Sequence, residues 1–315
     1  MSTTHKVVYC GKISNYMEAK FKSLSIFEFQ ERFPDDASCY RYLEDLKWGN
    51  GFICPKCGYT KSCKAQQPFT RHCNRCHTTI SVTSGTLFQG LKFSLLKAFY
   101  IIYYISTSKK GVASTELSRK LELRQKTAWF FKQKVMKAMQ SSNSIKLDGK
   151  VEVDETVIGQ QEEGVVGRKN RKKKLVVFAI EKKGKGVSRM YGKVIKKASS
   201  KELGAFMEQK IDKSAAIKTD KWTGYAPLTE SFEHLKRVKS KRKAKNFKEM
   251  HRVIMGFKAW LRGVHHHAGY LQAYIDEYCY RFNRNRMKEG IFDNLLNRMM
   301  QASPFPYKLM SLSNA

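Results

Sequence analysis

Two cysteine pairs constrain this chain more than any other feature. Cys54-Pro-Lys-Cys57 and Cys73-Asn-Arg-Cys76 are C-x2-C pairs with fifteen residues between them. Each pair forms a tight knuckle whose thiolates face one point, and two knuckles complete a tetrahedron around Zn²⁺. Four thiolates close the site, so this zinc is expected to be structural and His72 and His77 are not needed as ligands. Cys63 reads as a spare thiol, and Cys10, Cys39 and Cys279 as small core residues. A disulfide framework needs an oxidising compartment, whereas the amino terminus MSTTHKVVYC lacks the apolar core of a secretory signal. The most apolar run, LLKAFYIIYYI at 95–105, contains Lys97 and falls short of the roughly 18 residues a membrane span requires. A cytoplasmic protein with reduced thiols and no membrane partner is expected.

Charge narrows the partner. Lys and Arg number 60 against 27 Asp and Glu, a formal net charge of +33. An excess of that size points to a polyanion, with nucleic acid ahead of anionic membrane. The pattern along 315 residues predicts several segments: an N-terminal arm (1–23), a zinc-ribbon domain (24–92), a helical segment (93–142), a sheet-containing domain (143–286) and a loose helical tail (287–315). Asp36 is a candidate cap for a helix over 37–48.

GVASTELSRKLELRQKTAWFFKQKVMKAM (111–139) reads as two helices broken near Leu123. Ser114 or Thr115 can cap the first, and Ala128, Phe131 and Val135 point inward from the second. Arg124, Gln125, Lys126 and Thr127 stand at the start of the second helix. That is where a helix-turn-helix presents residues to the major groove, although plain helical hairpins share the pattern.

VEVDETVIG (151–159) puts three acids in a β-branched run. In a strand, Glu152, Asp154 and Thr156 share a face, and the valines take the other. A carboxylate buried there must be ion-paired or hold a metal. Asp220 ends a second short strand, AIKTD (216–220), before the turn Lys-Trp-Thr-Gly-Tyr. Taken singly, neither aspartate is decisive: the bland reading is a structural ion pair for Asp154 and an ordinary turn residue for Asp220. Two strands of one sheet bringing them together would make a site of oxygen ligands suited to Mg²⁺ or Mn²⁺.

These segments, with KTDKWTGYAPL, NFKEMHRVIMGFKAWLRGVHHH and LQAYIDEYCYRFNRNR, resemble the bacterial insertion-sequence transposases of the ISXO type, relatives of the Merlin elements. The resemblance spans roughly residues 25–286. It implies an α/β fold: a zinc ribbon, then a helical DNA-binding segment, then a ribonuclease-H-like domain with a mixed sheet flanked by helices. It implies that Asp154 and Asp220 are the first two ligands of a D-D-[E/N/H] triad holding two catalytic Mg²⁺ or Mn²⁺ ions. It further implies cleavage of element ends, strand transfer into target DNA, and a homo-oligomer on paired ends of double-stranded DNA in the bacterial nucleoid. The chain departs from the pattern at the third ligand, where Gly256 stands in place of asparagine. His251 is the leading substitute and Glu249 the next, with a two-aspartate site completed by water as the alternative. Positions 251 and 256 are about 140° apart around a helix, so they do not share a face.

RKNRKKK (168–174) and KRVKSKRKAKNFK (236–248) are basic runs expected to meet the DNA backbone. The expected phosphate contacts are Arg124, Lys126, Lys172, Lys241, Arg242, Lys258, Arg262, His266, Arg281 and Arg284. Glu277 reads as an intrahelical ion-pair residue. The competing readings are a catalytically inactive DNA-binding protein, which Gly256 favours, and a metal-dependent nuclease without strand transfer.

Overall fold

The computed structural model describes residues 24–159, 173–241, 246–265, 269–287 and 290–312. Cys10, Lys172, Arg242, His266 and most of the basic run 168–174 lie outside them. The chain divides into two compact units. One comprises the described residues up to Ser84, Phe88–Ser108 and Arg286–Gln301; the other comprises Gly85–Leu87, Lys109–Asn285 and the residues from Ala302 onward.

The first unit begins with α1 (Ile26–Arg32) and α2 (Asp36–Trp48). The cap of α2 is Asp35, whose side chain accepts from Ser38 N. Asp36, expected in that role, is the first helical residue, and its carboxylate accepts from Leu96 N instead. A three-stranded antiparallel sheet follows: β1 (Ser62–Lys64), β2 (Thr70–Cys73) and β3 (Thr79–Ser81). Lys47 of α2 ties into its exit, donating to the carbonyls of Ser81, Val82 and Ser84 at 2.9, 3.0 and 2.7 Å. Helix α3 (Leu95–Thr107) supplies an apolar wall. The helix over Gly290–Gln301 (α9) belongs to this core and corrects the expectation of a loose tail. Its Phe292, Leu295, Leu296 and Met299 are buried at helical spacing. Phe292 meets Phe29 edge-on at 5.6 Å, and Asp293 receives both Arg32 and the Tyr42 hydroxyl at 2.7 Å.

The second unit opens with α4 (Ser114–Leu121) and α5 (Gln125–Ala138). Neither Ser114 nor Thr115 caps α4. The cap position is Ala113, and the Ser114 hydroxyl accepts from Gln125 Nε2 at 2.9 Å. Glu122 makes the break in the left-handed region, at φ 51°. Past its first turn α5 is buried on almost every side, including Lys132, Gln133 and Lys134.

Five strands then form one mixed sheet: β4 (Lys150–Ile158), β5 (Lys174–Lys183), β6 (Gly186–Ile195), β7 (Ala216–Thr219) and β8 (Leu235–Arg237). Their spatial order is β6-β5-β4-β7-β8. The first three are antiparallel neighbours, and β7 and β8 run parallel to β4. This is the ribonuclease-H-like sheet that the resemblance implies. One face packs on α6 (Ser200–Lys210) through Val151, Val153, Val177, Leu203, Phe206 and Met207. The other packs on α7 (Lys248–Val264) and α8 (Leu271–Asn283) through Val176, Phe178, Ile180, Met250, Phe257 and Ile275.

Helix α8 also closes the β6 edge. Gln272 accepts from Val194 N at 2.8 Å and donates to Gly192 O at 3.4 Å; Asn283 accepts from Met190 N at 2.8 Å and donates to Met190 O at 2.9 Å. The two side-chain amides stand in for the missing neighbour strand. Beneath them lies a cavity of about 50 Å³ whose lining includes Lys210, Arg189 and Asp276. Burial pushes the Asp276 carboxyl up to about 6 from its usual 3.8, against donors on Gln272 and Gln140. A raised folded-state pKa means that stability falls as pH rises from about 4 to about 6. Asp276→Asn is therefore expected to stabilise the protein by about 2–3 kcal/mol at pH 7.5, with the gain gone by pH 4. Thermal unfolding at the two pH values checks it.

Candidate metal-binding sites and basic surfaces

The four cysteine sulfurs converge as their spacing predicts. Among the described residues they are the one group of three or more candidate metal ligands whose donor atoms all lie within 4.8 Å of one another. Cys54 Sγ is 3.5 Å from Cys76 Sγ, and Cys57 Sγ is 3.6 Å from Cys73 Sγ. A cage of four thiolates matches structural zinc. The Thr78 hydroxyl and amide beside Cys76 pull its thiol down to about 6, toward the thiolate that a metal needs. His72 and His77 hydrogen-bond to each other at 3.3 Å, outside the cage. Cys63 is exposed, and Cys39 and Cys279 are buried.

The three acids of β4 meet three different fates. Glu152 is nearly fully buried and is ion-paired with Lys182 at 3.2 Å and with Lys218 at 3.8 Å. Glu155, on the opposite face, accepts from the buried Tyr225 hydroxyl at 2.6 Å. Asp154 is partly exposed. Its Oδ1 accepts from Glu155 N at 2.9 Å, which fixes one oxygen.

Strand register brings Asp220 beside it. β4 and β7 pair in parallel as Lys150 with Ala216, Val151 with Ile217 and Glu152 with Lys218. Carried two residues further, the same register sets Asp154 opposite Asp220, one residue past the end of β7. Neighbouring strands lie about 4.8 Å apart, and residues in register face the same side. Tyr225 reports the same convergence. Burial raises its phenol well above the ordinary value, and the charges of Glu155, Asp154 and Asp220 all add to the shift. Sequence reasoning passed over Tyr225, although its place five residues after Asp220, behind Gly224, was a visible signal.

Helix α7 crosses this face. Its entry residue Phe247 lies under the Lys218 ammonium at 4.4 Å, and Phe257 meets Phe178, the cross-strand partner of Asp154, at 5.4 Å. His251, Met255, Lys258 and Arg262 follow at i, i+4, i+7 and i+11 and so share one strip. His251, Met255 and Arg262 are exposed and Lys258 is half-buried. Burial lowers the Lys258 pKa, and Lys173 and Arg262 add repulsion. Lys173 precedes β5, whose first residue pairs with Ile158. Lys258 therefore lies toward the end of the sheet to which β4 runs. Gly256 takes a different side: a Cβ there would stand 2.9 Å from the Tyr278 hydroxyl on α8. Glu249 is held by Arg252 at 3.0 Å. Among the described residues, neither His251 nor Glu249 joins the two aspartates in a three-ligand cluster.

Arg281 was expected to meet phosphate and instead serves the interior. Glu277 is fully buried, and Arg281 donates to its Oε1 through Nε and Nη2 at 3.0 and 2.8 Å. Burial alone would raise the Glu277 carboxyl, but Arg281, His265 and Lys132 hold it well below the usual range. Arg284 lies over the Tyr280 ring at 4.2 Å. On α5, Arg124, Gln125 and Lys126 are exposed, and the Lys126 ammonium sits 5.5 Å over Tyr307. Lys241 is exposed, its backbone amide held by Asn246. No described helix is long and apolar enough to cross a membrane.

Residues 146–283 match the model of the ISXO2-like transposase domain, and residues 34–79 match that of the transposase zinc-ribbon domain. Together the two segments span more than half of the chain. No curated protein matches it. Among solved structures, a pre-cleavage Mos1 transpososome aligns at 12% identity over 65% of this chain and 78% of that chain, with a TM-score of 0.21. A Mos1 transposase paired-end complex with left transposon end aligns at 11% identity over 64% and 78%, with a TM-score of 0.20. At such scores the likeness carries no structural argument.

Proposed function

Because the chain belongs to the ISXO-type transposases, we propose that it cuts the 3′ ends of its element and joins them to target DNA, with Asp154 and Asp220 as the ligands of the catalytic divalent ions. The observation that supports this reading most directly is the parallel register of β4 and β7, which, extended two residues, sets Asp154 opposite Asp220. Two carboxylates that close repel unless cations stand between them, and hard oxygen donors fit Mg²⁺ or Mn²⁺. Ions bound there would supply charge stabilisation and an acidified water for in-line attack at phosphorus.

The protein's own groups do the rest. The Glu155 amide orients Asp154, and the turn after β7 orients Asp220, whose Oδ1 accepts from Trp222 N at 3.0 Å. Lys258 and Arg262 offer positive charge to the phosphate, and His251 stands on the same strip as the candidate third ligand. In the first step water attacks phosphorus and the P–O3′ bond breaks, leaving a 3′-hydroxyl on the element. In the second, that hydroxyl attacks a target phosphodiester and displaces the target's 3′ oxygen. The number of phosphodiester bonds is conserved in the transfer, so no covalent protein–DNA bond is required. Arg124 and Lys126, at the exposed start of α5, fit contact with the terminal repeat, and a homo-oligomer would hold the paired ends.

A second reading, DNA binding without catalysis, draws on Gly256 and on its aim at Tyr278 rather than at the aspartates. The deciding experiment incubates the full chain with Mg²⁺ and duplexes carrying the flanking element ends, and resolves nicked and joined products. Both products are expected. Tight binding with neither would favour the second reading.

A further inference from the structure

The turn that leaves β7 is built around an indole. Four hydrogen bonds fix it: Asp220 Oδ1 accepts from Trp222 N at 3.0 Å, Arg237 Nη2 donates to the carbonyls of Lys221 and Trp222 at 2.9 and 3.2 Å, and the indole Nε1–H donates to Ala198 O at 2.8 Å. Gly224 makes the seat possible. A Cβ there would come 2.5 Å from Ala198 O and 2.8 Å from the indole nitrogen, so any other residue would push the ring off its anchor. Despite this anchoring, Trp222 remains 38% exposed. An exposed aromatic by itself calls for no explanation, but this one is held by its turn two residues from Asp220.

A groove adjoins it. Lys221, Arg237, Lys239 and Lys241 line its wall with Val238 and Ser240, and no acid is among the described lining residues. Asn246 pins that wall, donating to Lys239 O at 3.0 Å and accepting from Lys241 N at 2.9 Å. A cationic groove that tracks a backbone, with a fixed aromatic ring beside it, is the combination that binds single-stranded nucleic acid. A paired duplex hides the faces of its bases, so a stacking ring gains little from it.

We infer that Trp222 and the groove from Lys221 to Lys241 form a binding site for unpaired DNA, in which a nucleobase stacks on the indole while its phosphates follow the lysines. Stacking tolerates any base, since every base offers a π-face. The site deepens the proposed function and rests on it for its location: the strand that enters would be the one whose phosphate lies at Asp154 and Asp220.

The test uses the full chain with a twelve-nucleotide oligothymidine carrying one central 2-aminopurine, and a blunt duplex of the same length. Wild-type protein should bind the single strand with quenching of the 2-aminopurine emission. Trp222→Leu, which keeps apolar bulk, should weaken that binding roughly tenfold and abolish quenching, with little effect on the duplex. Trp222→Phe should stay within about threefold of wild type. Lys239→Gln and Lys241→Gln, both at exposed positions, should each lower the salt slope by about 0.7. Binding by wild type without quenching would overturn the site, and this needs no variant to fold. Equal loss on single strand and duplex in Trp222→Leu would overturn it too. Asp154→Asn should keep the quenching while losing cleavage. Cleavage that survived in that variant would remove the catalytic assignment and leave the stacking result to be judged separately.

Discussion

Asp154→Asn and Asp220→Asn are each expected to lower divalent-ion-dependent DNA cleavage by at least about a thousandfold, equal to about 4 kcal/mol of transition-state stabilisation. Asparagine keeps the size of the side chain and can keep the hydrogen bonds to Glu155 N and Trp222 N. It removes the negative charge that would hold a cation. The fold should survive, because the apolar packing of β4 comes from Val151 and Val153, and DNA binding should change little. The informative comparison is nicking rate against Mg²⁺ concentration, with thermal unfolding as the control. Near-wild-type nicking in either variant would end the assignment of that residue. His251→Ala belongs in the same series: unchanged turnover would eliminate it as the third ligand.

Removing one zinc ligand should have the largest effect on folding. Cys73 is fully buried and Cys54 almost so. The surrounding strands are three or four residues long, too short to stand without a staple. Structural zinc contributes an apparent free energy of roughly 10–16 kcal/mol in small zinc domains. Cys73→Ser is therefore expected to lose the metal and unfold the ribbon, while the ribonuclease-H-like unit keeps its own transition. Elemental analysis should find one zinc per wild-type chain and well under half of that in the variant. A full zinc complement in Cys73→Ser would refute the four-thiolate cage.

The sheet and the ribbon were legible because each rests on a local rule. Cysteine spacing fixes the knuckles, and the β-branched run fixes β4 together with the face Asp154 takes. Partnership was less legible. Nothing local says that Glu152 pairs with Lys182 and Lys218 or that Glu155 meets Tyr225, whereas the Glu277–Arg281 pair is the intrahelical i, i+4 contact that the sequence suggests. The Glu152 pairing depends on which strands flank β4, and the Glu155 contact on the turn that brings Tyr225 against it. The amphipathic spacing of Phe292, Leu295, Leu296 and Met299 was visible in the sequence, but its partners Phe29, Phe33 and Phe99 lie about two hundred residues or more away, so α9 read as a loose tail. The cap of α2 moved by one residue because two aspartates adjoin and only packing against α3 separates their tasks. The third ligand was not legible, since Gly256 offers no atom to follow.

The side-chain amides along β6 bear on how copies of this protein can meet. An open strand edge can recruit the backbone of a neighbouring copy and seed fibres. Gln272 and Asn283 already occupy those rungs from within the same chain. Any association of copies along this border must then run through side chains rather than through added backbone rungs.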